Sequence, residues 1–199
     1  MGKSSRTKAA QREATTRQLI EIAREHFTRD GYASAATEEI VAQAGVTRGA
    51  LYHHFGSKEG LFLAVLHEVQ REVAEQVSTA ADSAGDNGWD VLKAGCRAFL
   101  EASLAPQVRR ILLVDAPAVL GWEAWRQADA EGAFPLLREG LAQFQQEGAL
   151  QGLSVDALAH LLSGAMNEAA LWVSQSDQPD AALEAAVTSL DALIDGLRR

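Results

Sequence analysis

The chain has 199 residues, of which 47% are hydrophobic, and a formal net charge of −9. It is long enough for a buried core in one large domain or two small ones, and no segment approaches the roughly 18 apolar residues of a membrane span, so no membrane partner is expected. The single cysteine, Cys96, excludes an internal disulfide, and the N-terminus lacks the apolar stretch of a secretory signal. Both observations favour a cytoplasmic protein.

Charge is divided unevenly along the chain. Residues 1–60 carry nine Lys/Arg and seven Asp/Glu, a net charge of +2, whereas residues 61–199 carry nine and twenty, a net charge of −11. The relative positive potential therefore lies at the N-terminal end. We expect one domain over 1–60 and a second over 61–199, with the acidic remainder repelling nucleic acid.

The first residues, 1 to about 12, are polar and basic, and we interpret them as a flexible arm. Such an arm follows a phosphate backbone or enters a minor groove; the alternative is a plain solubilising tail. A first helix is predicted from about Glu13 to Asp30, because Leu19, Ala23 and Phe27 share one helical face. Gly31 is expected to end it.

The stretch TEEIVAQAGVTRGALYHHFGSK, residues 37–58, has the pattern of a helix-turn-helix. We predict that Thr37 is the N-cap of the first short helix and that Gly45, in the left-handed conformation, ends it. Thr47 is predicted to cap the second helix, from Arg48 to about Phe55, whose Leu51 faces the domain core. The second helix of such a motif enters a DNA major groove, so double-stranded DNA is the expected partner.

The second helix and its surroundings supply the candidate DNA contacts. Arg48 can place two donors on a guanine edge or a phosphate, and Gly49 allows close approach of the backbone. The alternative for Arg48 and Lys58 is a solvated charge, and for Tyr52 and His54 a core or capping role. The full candidate set is Thr37, Thr47, Arg48, Gly49, Tyr52, His53 and Lys58.

Beyond Lys58 the pattern remains helical, so the predicted fold is all-α with about nine helices. The first of these, from Lys58 to about Ala81, would connect the two domains. The others are predicted at about Trp89–Ser103, from Pro106 with a kink or break at Pro117, at Phe134–Glu147, at Ser154–Gln175 and at Pro179–Leu197. The last two are apolar and terminal, so they either form a homodimer interface or complete their own subunit's core.

Apolar cavities between helices with a few polar groups are the usual small-molecule sites, so candidate lining residues are sought among the polar and aromatic residues of the C-terminal helices. Asp115 and Asn167 are polar groups on apolar segments, although Asp115 has the alternative of neutralising Arg109, Arg110 or Arg126. For the aromatic candidates the alternative is core packing. The candidate set is Phe99, Asp115, Trp122, Trp125, Phe134, Asn167 and Trp172.

Enzyme signatures are not found in the sequence. There is no glycine-rich phosphate loop or nucleophile elbow, and the five His and one Cys have no metal-ligand spacing. We therefore expect no catalytic residue, no metal and no cofactor, with Cys96 a buried thiol of the core.

The segment GYASAATEEIVAQAGVTRGALYHHFGSKEGLF, residues 31–62, closely resembles the DNA-binding domain of TetR-family transcriptional regulators. Matches to the family pattern are Gly31, Tyr32, Thr37, Ile40, Ala44, Gly45, Val46, Thr47, Gly49, Leu51, Tyr52, His54, Phe55, Lys58, Glu59 and Leu61. Mild departures occur at Ala36 and Val41, neither of which is a proposed DNA contact. The matching motif covers only the first third of the chain.

The resemblance implies a repressor that binds a palindromic operator as a dimer formed by its last two helices. It also implies release by a partly apolar small molecule in the C-terminal domain, with the helix from Lys58 as the lever. The alternatives are an activator or a ligand-independent DNA-binding protein, with a helical enzyme the least favoured.

Overall fold

The computed structural model describes residues 3–198, and side chains from residue 9 onward. Its N-terminal helix, α1, spans Lys3–Ser34, so the prediction of a flexible arm is wrong for residues 3–12. Its Lys, Arg, Ala and Gln residues favour a helix, and neither Gly nor Pro interrupts that stretch, which explains the continuity. Gly31 does interrupt α1, with φ of 79°, before one further turn. Met1 and Gly2 lie outside the described residues.

The helix-turn-helix consists of α2, Thr37–Gln43, and α3, Arg48–Phe55, and is followed by α4, Lys58–Ser83. The prediction that Thr37 is the N-cap of α2 is wrong: Ala36 occupies that position without a side-chain hydrogen bond, and Thr37 is the first helical residue. The predicted caps of the next two helices are confirmed, since Thr47 accepts from the Ala50 amide and Ser57 from the Gly60 amide.

One long helix, α4, joins the two halves of the chain. Near its start, Phe62 packs edge-on against Phe27 and Tyr32, with ring centroids 5.3 and 5.1 Å away. The apolar stripe of α4 stays buried over more than four turns, through Leu66 and Val69 as far as Val77. The same helix is therefore part of the core of both halves.

The C-terminal half begins with α5, Gly88–Leu104, which packs against α4. A helical segment then runs through α6, Pro106–Arg109, a π-helical stretch, Arg110–Asp115, and α7, Ala116–Leu120. The four remaining helices are α8, Trp122–Asp129, α9, Phe134–Gln146, α10, Val155–Ser174, and α11, Pro179–Asp195. With Pro106–Leu120 counted once, residues 3–198 form ten helical segments, and the all-α prediction is confirmed.

The distortion at Pro117 takes the form of a π-helical stretch rather than a break. The Ala116 amide donates to the Ile111 carbonyl, five residues back. The next bond of this type would join Pro117 to the Leu112 carbonyl, but proline has no amide hydrogen. Instead, Trp125 Nε1 of α8 donates to the Leu112 carbonyl at 3.0 Å. The indole thus satisfies an acceptor that the proline leaves free, and it joins α8 to the π-helical stretch.

Candidate nucleic-acid interface and ligand cavity

The turn between α2 and α3 determines which face of α3 is exposed. Gly45 has φ of 64°, as predicted, and the Val46 amide donates to the Val41 carbonyl at 3.0 Å. Leu51 is fully buried and anchors α3 to the domain core. The opposite face is exposed to solvent and carries five predicted DNA contacts: Thr47, Arg48, Gly49, Tyr52 and His53.

Arg48 lies across the surface of the motif. Its Nη1 donates to Glu38 Oε1 at 2.8 Å, and its Nη2 donates to the Tyr52 hydroxyl at 3.2 Å. The hydrogen bond with Tyr52 and the negative charge of Glu38 raise the pKa of Arg48. The guanidinium is therefore cationic and exposed, and it is held between Glu38 of α2 and Tyr52 of α3. To contact a base it must exchange Glu38 for DNA.

Two other predicted contacts are less accessible than their position in the motif suggested. Lys58 is half-buried, with its Nζ 3.5 Å from the Ala33 carbonyl and 4.6 Å from the centre of the Tyr32 ring. Burial lowers the pKa of this lysine. Thr37 is 8% exposed. Lys58 thus helps to hold α4 against the end of α1, and contact of either residue with DNA remains a prediction.

The two adjacent histidines have different environments. His53 is exposed, whereas His54 is half-buried and its Nδ1 lies 3.0 Å from the Thr16 hydroxyl of α1. Burial lowers the pKa of His54, which favours the neutral ring. The contact with Thr16 supports the alternative stated for His54, a core or capping role.

A charged cluster at the junction of α1 and α2 supports the motif from behind. His26 is buried, with its Nε2 2.9 Å from Gln43 Oε1 and its Nδ1 3.1 Å from Arg29 Nη2. Arg29 also contacts Asp30 at 2.6 Å, and that hydrogen bond lowers the pKa of Asp30. His26, Asp30 and Glu39 have ligand atoms close enough for a metal ion. Arg29 already supplies a positive charge to this group.

The C-terminal half contains a cavity of about 230 Å³ bounded by α4, α5, α9, α10 and the end of α8. Phe99 and Phe134 line it, as predicted, together with Phe144, whose ring stacks on Trp89 with centroids 3.9 Å apart. Cys96 also contributes to the wall and is buried. Polar lining groups come from Ser78, Asp82, Asp129, Gln143 and Ser163.

The most buried acid of the cavity, Asp129, was missed by the sequence analysis. It is 9% exposed, and its Oδ2 accepts from Arg126 Nη1 at 2.9 Å. Burial raises the pKa of Asp129, and the opposing effects of Arg126 and the Ser163 hydroxyl only reduce that rise. A possible signal was the i, i+3 pair of Arg126 and Asp129 at the end of a helix.

The other five predicted ligand residues do not line this cavity. The Trp125 ring is buried and bonded to the Leu112 carbonyl, while Trp122 is 69% exposed and Trp172 is 53% exposed. Asn167 is buried one helical turn after Ser163. These placements differ from the prediction because the lining depends on which face of each helix turns inward, and aromatic content does not encode that.

Asp115, the fifth, instead joins the two halves of the protein. Its Oδ2 accepts from the Tyr32 amide at 3.0 Å and from Arg110 Nε at 3.4 Å, so the stated alternative of neutralising Arg110 is confirmed. Arg110 Nη2 lies 3.5 Å from the Asp30 carbonyl. The π-helical stretch therefore contacts α1 on both sides of Gly31.

The last two helices have an exposed apolar face as well as a buried one. Leu162 and Ile194 are buried in the subunit core. On the outer side Leu161 is 70% exposed and Leu193 61%, with Trp172 in the same group of exposed side chains. A shallow groove lined by Ala165, Ala169, Trp172, Ala185 and Leu193 lies between the helices. Both interpretations of these helices are thus compatible with the fold.

Comparisons with known proteins agree with this architecture. Residues 19–65 match the family model described as bacterial regulatory proteins, tetR family, and residues 89–197 match one described as tetracyclin repressor-like, C-terminal domain. No helix among the described residues is both long and apolar enough to cross a membrane.

Individual relatives extend the similarity to most of the chain. The crystal structure of a TetR-family transcriptional regulator from Pectobacterium atrosepticum is 35% identical, with a TM-score of 0.78 over 95% of this chain and 96% of that one. The transposon Tn10 TetC protein of Escherichia coli is 26% identical over 76% of each chain. The HTH-type transcriptional repressor AcnR of Corynebacterium glutamicum is 43% identical over 61 residues, about a third of each chain.

Proposed function

Because the chain belongs to the TetR family of bacterial transcriptional regulators, we propose that it is a repressor that binds a palindromic operator as a homodimer. A small molecule in the C-terminal cavity releases it. The observation that carries this proposal is the direct contact between the cavity-bearing half and the DNA-binding half at Asp115 and Tyr32. The operator lies in the cytoplasm with the bacterial chromosome, and so does the repressor.

DNA recognition is assigned to the first turn of α3. Arg48 leaves Glu38 and discriminates bases, while Thr47 and Gly49 let the backbone approach the duplex. Tyr52 and His53 contact phosphates. Residues 3–12 belong to α1, and the basic residues of this stretch are assigned to the phosphate backbone.

Dimerisation is assigned to the exposed apolar face of α10 and α11. Leu161 and Leu193 are large and strongly exposed. Leu193 lines a groove that also contains Ala165, Ala169, Ala185 and Ala186, small residues that permit close approach of a second copy. A twofold axis through this face makes the two α3 helices equivalent, so the operator half-sites are inverted repeats in successive major grooves.

The ligand response needs a connection between the cavity and α3, and the contacts provide one. Asp129 lines the cavity at the end of α8, and Trp125, one turn earlier, bonds to the Leu112 carbonyl. The same π-helical stretch carries Asp115, which accepts from the Tyr32 amide. A ligand that shifts α8 changes this chain of contacts, and it weakens DNA binding only if it binds the shifted form more tightly.

The proposal is tested by selecting bound fragments from the host genome and measuring the affinity of the recovered site by fluorescence anisotropy. Arg48→Ala should lose at least tenfold in affinity for that site while nonspecific binding changes little. Arg138→Ala is the matched control, because Arg138 is also exposed and paired, with Asp156 at 2.7 Å, but lies in the other half. Equal losses for both variants, or a recovered site without inverted repeats, would contradict the model.

A reporter fused to the recovered promoter tests the direction of regulation. Deleting the regulator should raise expression; a fall would identify an activator.

A further inference from the structure

Three buried side chains in the C-terminal half have polar atoms without a hydrogen-bond partner among the described residues. They are Gln70, through both amide atoms, Ser103, through its hydroxyl, and Asn167, through its carbonyl oxygen. Ser103 is fully buried, and the other two are at least nine-tenths buried. Unsatisfied buried polar groups are rare in folded proteins because each costs about 1–3 kcal/mol, so three together call for an explanation.

All three lie beyond the same end of the cavity. Ser103 is one helical turn after the lining residue Phe99 on α5, and Asn167 is one turn after Ser163 on α10. Gln70 is two turns before the lining residue Val77 on α4. Because only a short loop connects α4 to α5, the two helices are antiparallel.

The direction of α10 completes this arrangement. It runs alongside α5, because Met166 lies near Phe99 in the cavity wall while Arg109, beyond the end of α5, reaches the Ser174 carbonyl. Gln70, Ser103 and Asn167 therefore all lie on the same side of the cavity. Relative to the lining residues Val77, Phe99 and Ser163, they are displaced toward the DNA-binding half.

Asp129 occupies the same end. The turn after it brings Gly132 against Gln70, with only 3.3 Å between the Gln70 Cβ and the position that a Gly132 Cβ would take. The Gly132 amide in turn donates to the Asp129 carbonyl at 3.1 Å. The Asp129 carboxylate and the Ser163 hydroxyl thus form the polar end of a cavity whose body is apolar, and the unpartnered groups lie beyond that end, outside the lining.

The charge of the lining excludes one class of ligand. Among the described residues that line the cavity there are two acids, Asp82 and Asp129, and no Lys, Arg or His. Arg126 pairs with Asp129 from outside the lining. A carboxylate or phosphate entering this space would meet the buried Asp129 carboxylate with no cation in the lining to bind it, which is unfavourable because Arg126 is already paired with Asp129.

Size sets a further limit. An apolar cavity of about 150 Å³ accommodates benzene, so about 230 Å³ holds an aromatic ring with a short chain, on the order of ten non-hydrogen atoms. The rings of Phe99, Phe134 and Phe144 suit such a body.

We propose that the cavity binds a small amphipathic molecule whose apolar body lies among the phenylalanines and whose head donates hydrogen bonds to the polar end and carries no negative charge. This inference rests on the proposed function, since it names the ligand class of the same site. Alcohols and primary amines share this chemistry, because both offer a donor to the Asp129 carboxylate or the Ser163 hydroxyl.

Isothermal titration with four matched probes tests the inference on the full-length protein. The probes are 3-phenylpropan-1-ol, 3-phenylpropylamine, 3-phenylpropanoate and n-propylbenzene, which share the apolar body and differ in the head. We expect the alcohol or the amine to bind at least tenfold more tightly than both the propanoate and propylbenzene. Binding of the propanoate or of propylbenzene at equal strength, or binding of none of the four, would overturn the inference.

Two variants locate the head group. Ser163→Ala keeps a small side chain and removes the hydroxyl that lines the cavity beside Asp129, so it should reduce the preference of the alcohol over propylbenzene about fivefold or more. An unchanged preference in this folded variant would refute the assignment. Asp129→Asn separates the two head groups, because a preference for the amine should fall and that for the alcohol should not.

Operator binding by the ligand-free protein is measured in parallel. Failure of the ligand inference leaves that binding intact, whereas failure of the repressor proposal abolishes it.

Discussion

Substitution of Gly31 tests whether the contact between the two halves depends on this residue. Gly31 has φ of 79° and ψ of 163°, a region that side chains with a Cβ avoid. A Cβ at this position would also overlap the Arg110 guanidinium, standing 2.8 Å from its central carbon. Gly31→Ala therefore carries two penalties, backbone strain and displacement of Arg110.

Gly121 provides a matched control for the first penalty. Its φ of 76° and ψ of 162° are almost the same as those of Gly31, and a Cβ there would meet nothing within 4 Å. Gly121→Ala should thus show strain alone, about 1–3 kcal/mol. Gly31→Ala should lose up to about 1 kcal/mol more, because Arg110 is partly exposed and its displaced bonds to Asp115 and the Asp30 carbonyl are long.

Urea unfolding of the two single variants and of each combined with Arg110→Ala measures the difference. With Arg110 truncated, Gly31→Ala should cost the same as Gly121→Ala, since only strain remains. Two outcomes would show that the Arg110 guanidinium does not depend on Gly31. One is an equal loss of stability for Gly31→Ala and Gly121→Ala with Arg110 present; the other is an excess loss for Gly31→Ala that persists when Arg110 is truncated.

Three other predictions follow from single contacts. Burial raises the pKa of Cys96 from 9.0 to about 12, so its thiolate fraction at pH 8 falls about a thousandfold. A disulfide reagent should therefore label the folded protein more slowly than the urea-unfolded protein, by a similar factor. Comparable labelling rates would contradict the burial of Cys96. Leu193→Glu should convert the proposed dimer to a monomer in sedimentation at micromolar concentration, with unchanged helix content by circular dichroism. Trp125→Phe leaves the Leu112 carbonyl without its donor and should cost about 1–3 kcal/mol in chemical denaturation; no loss would mean that another donor replaces the indole.

Local signals in the sequence predicted the DNA-binding half well. The caps formed by Thr47 and Ser57 and the turn at Gly45 involve only residues a few positions away, so the sequence predicts them. Thr37 was misassigned because its neighbour Ala36 takes the cap position without a side-chain bond, and a missing cap leaves no signal. The prediction of a flexible arm over residues 3–12 was wrong because charge was taken as evidence of flexibility, although the same residues favour a helix.

Long-range contacts explain why the C-terminal half was predicted less well. The importance of Asp129 depends on its burial beside α10, and neither its type nor its spacing reveals that. Asp115 was correctly identified as an acid that needs a partner. Its first partner, the Tyr32 amide, is 83 residues away and belongs to the other half, so the role changes from ligand contact to connection between domains.

Pro117 shows how a local defect produces such a connection. A helix without the proline would satisfy the Leu112 carbonyl internally, and Trp125 would then bury an indole without an acceptor. With the proline, the indole bond joins α8 to the π-helical stretch, and the wider turn of that stretch carries both Arg110 and Asp115 to α1. The same residue that distorts the helix therefore makes the cavity wall and the DNA-binding half dependent on each other. Under the proposed function, a ligand that displaces α8 would therefore change the support of α1.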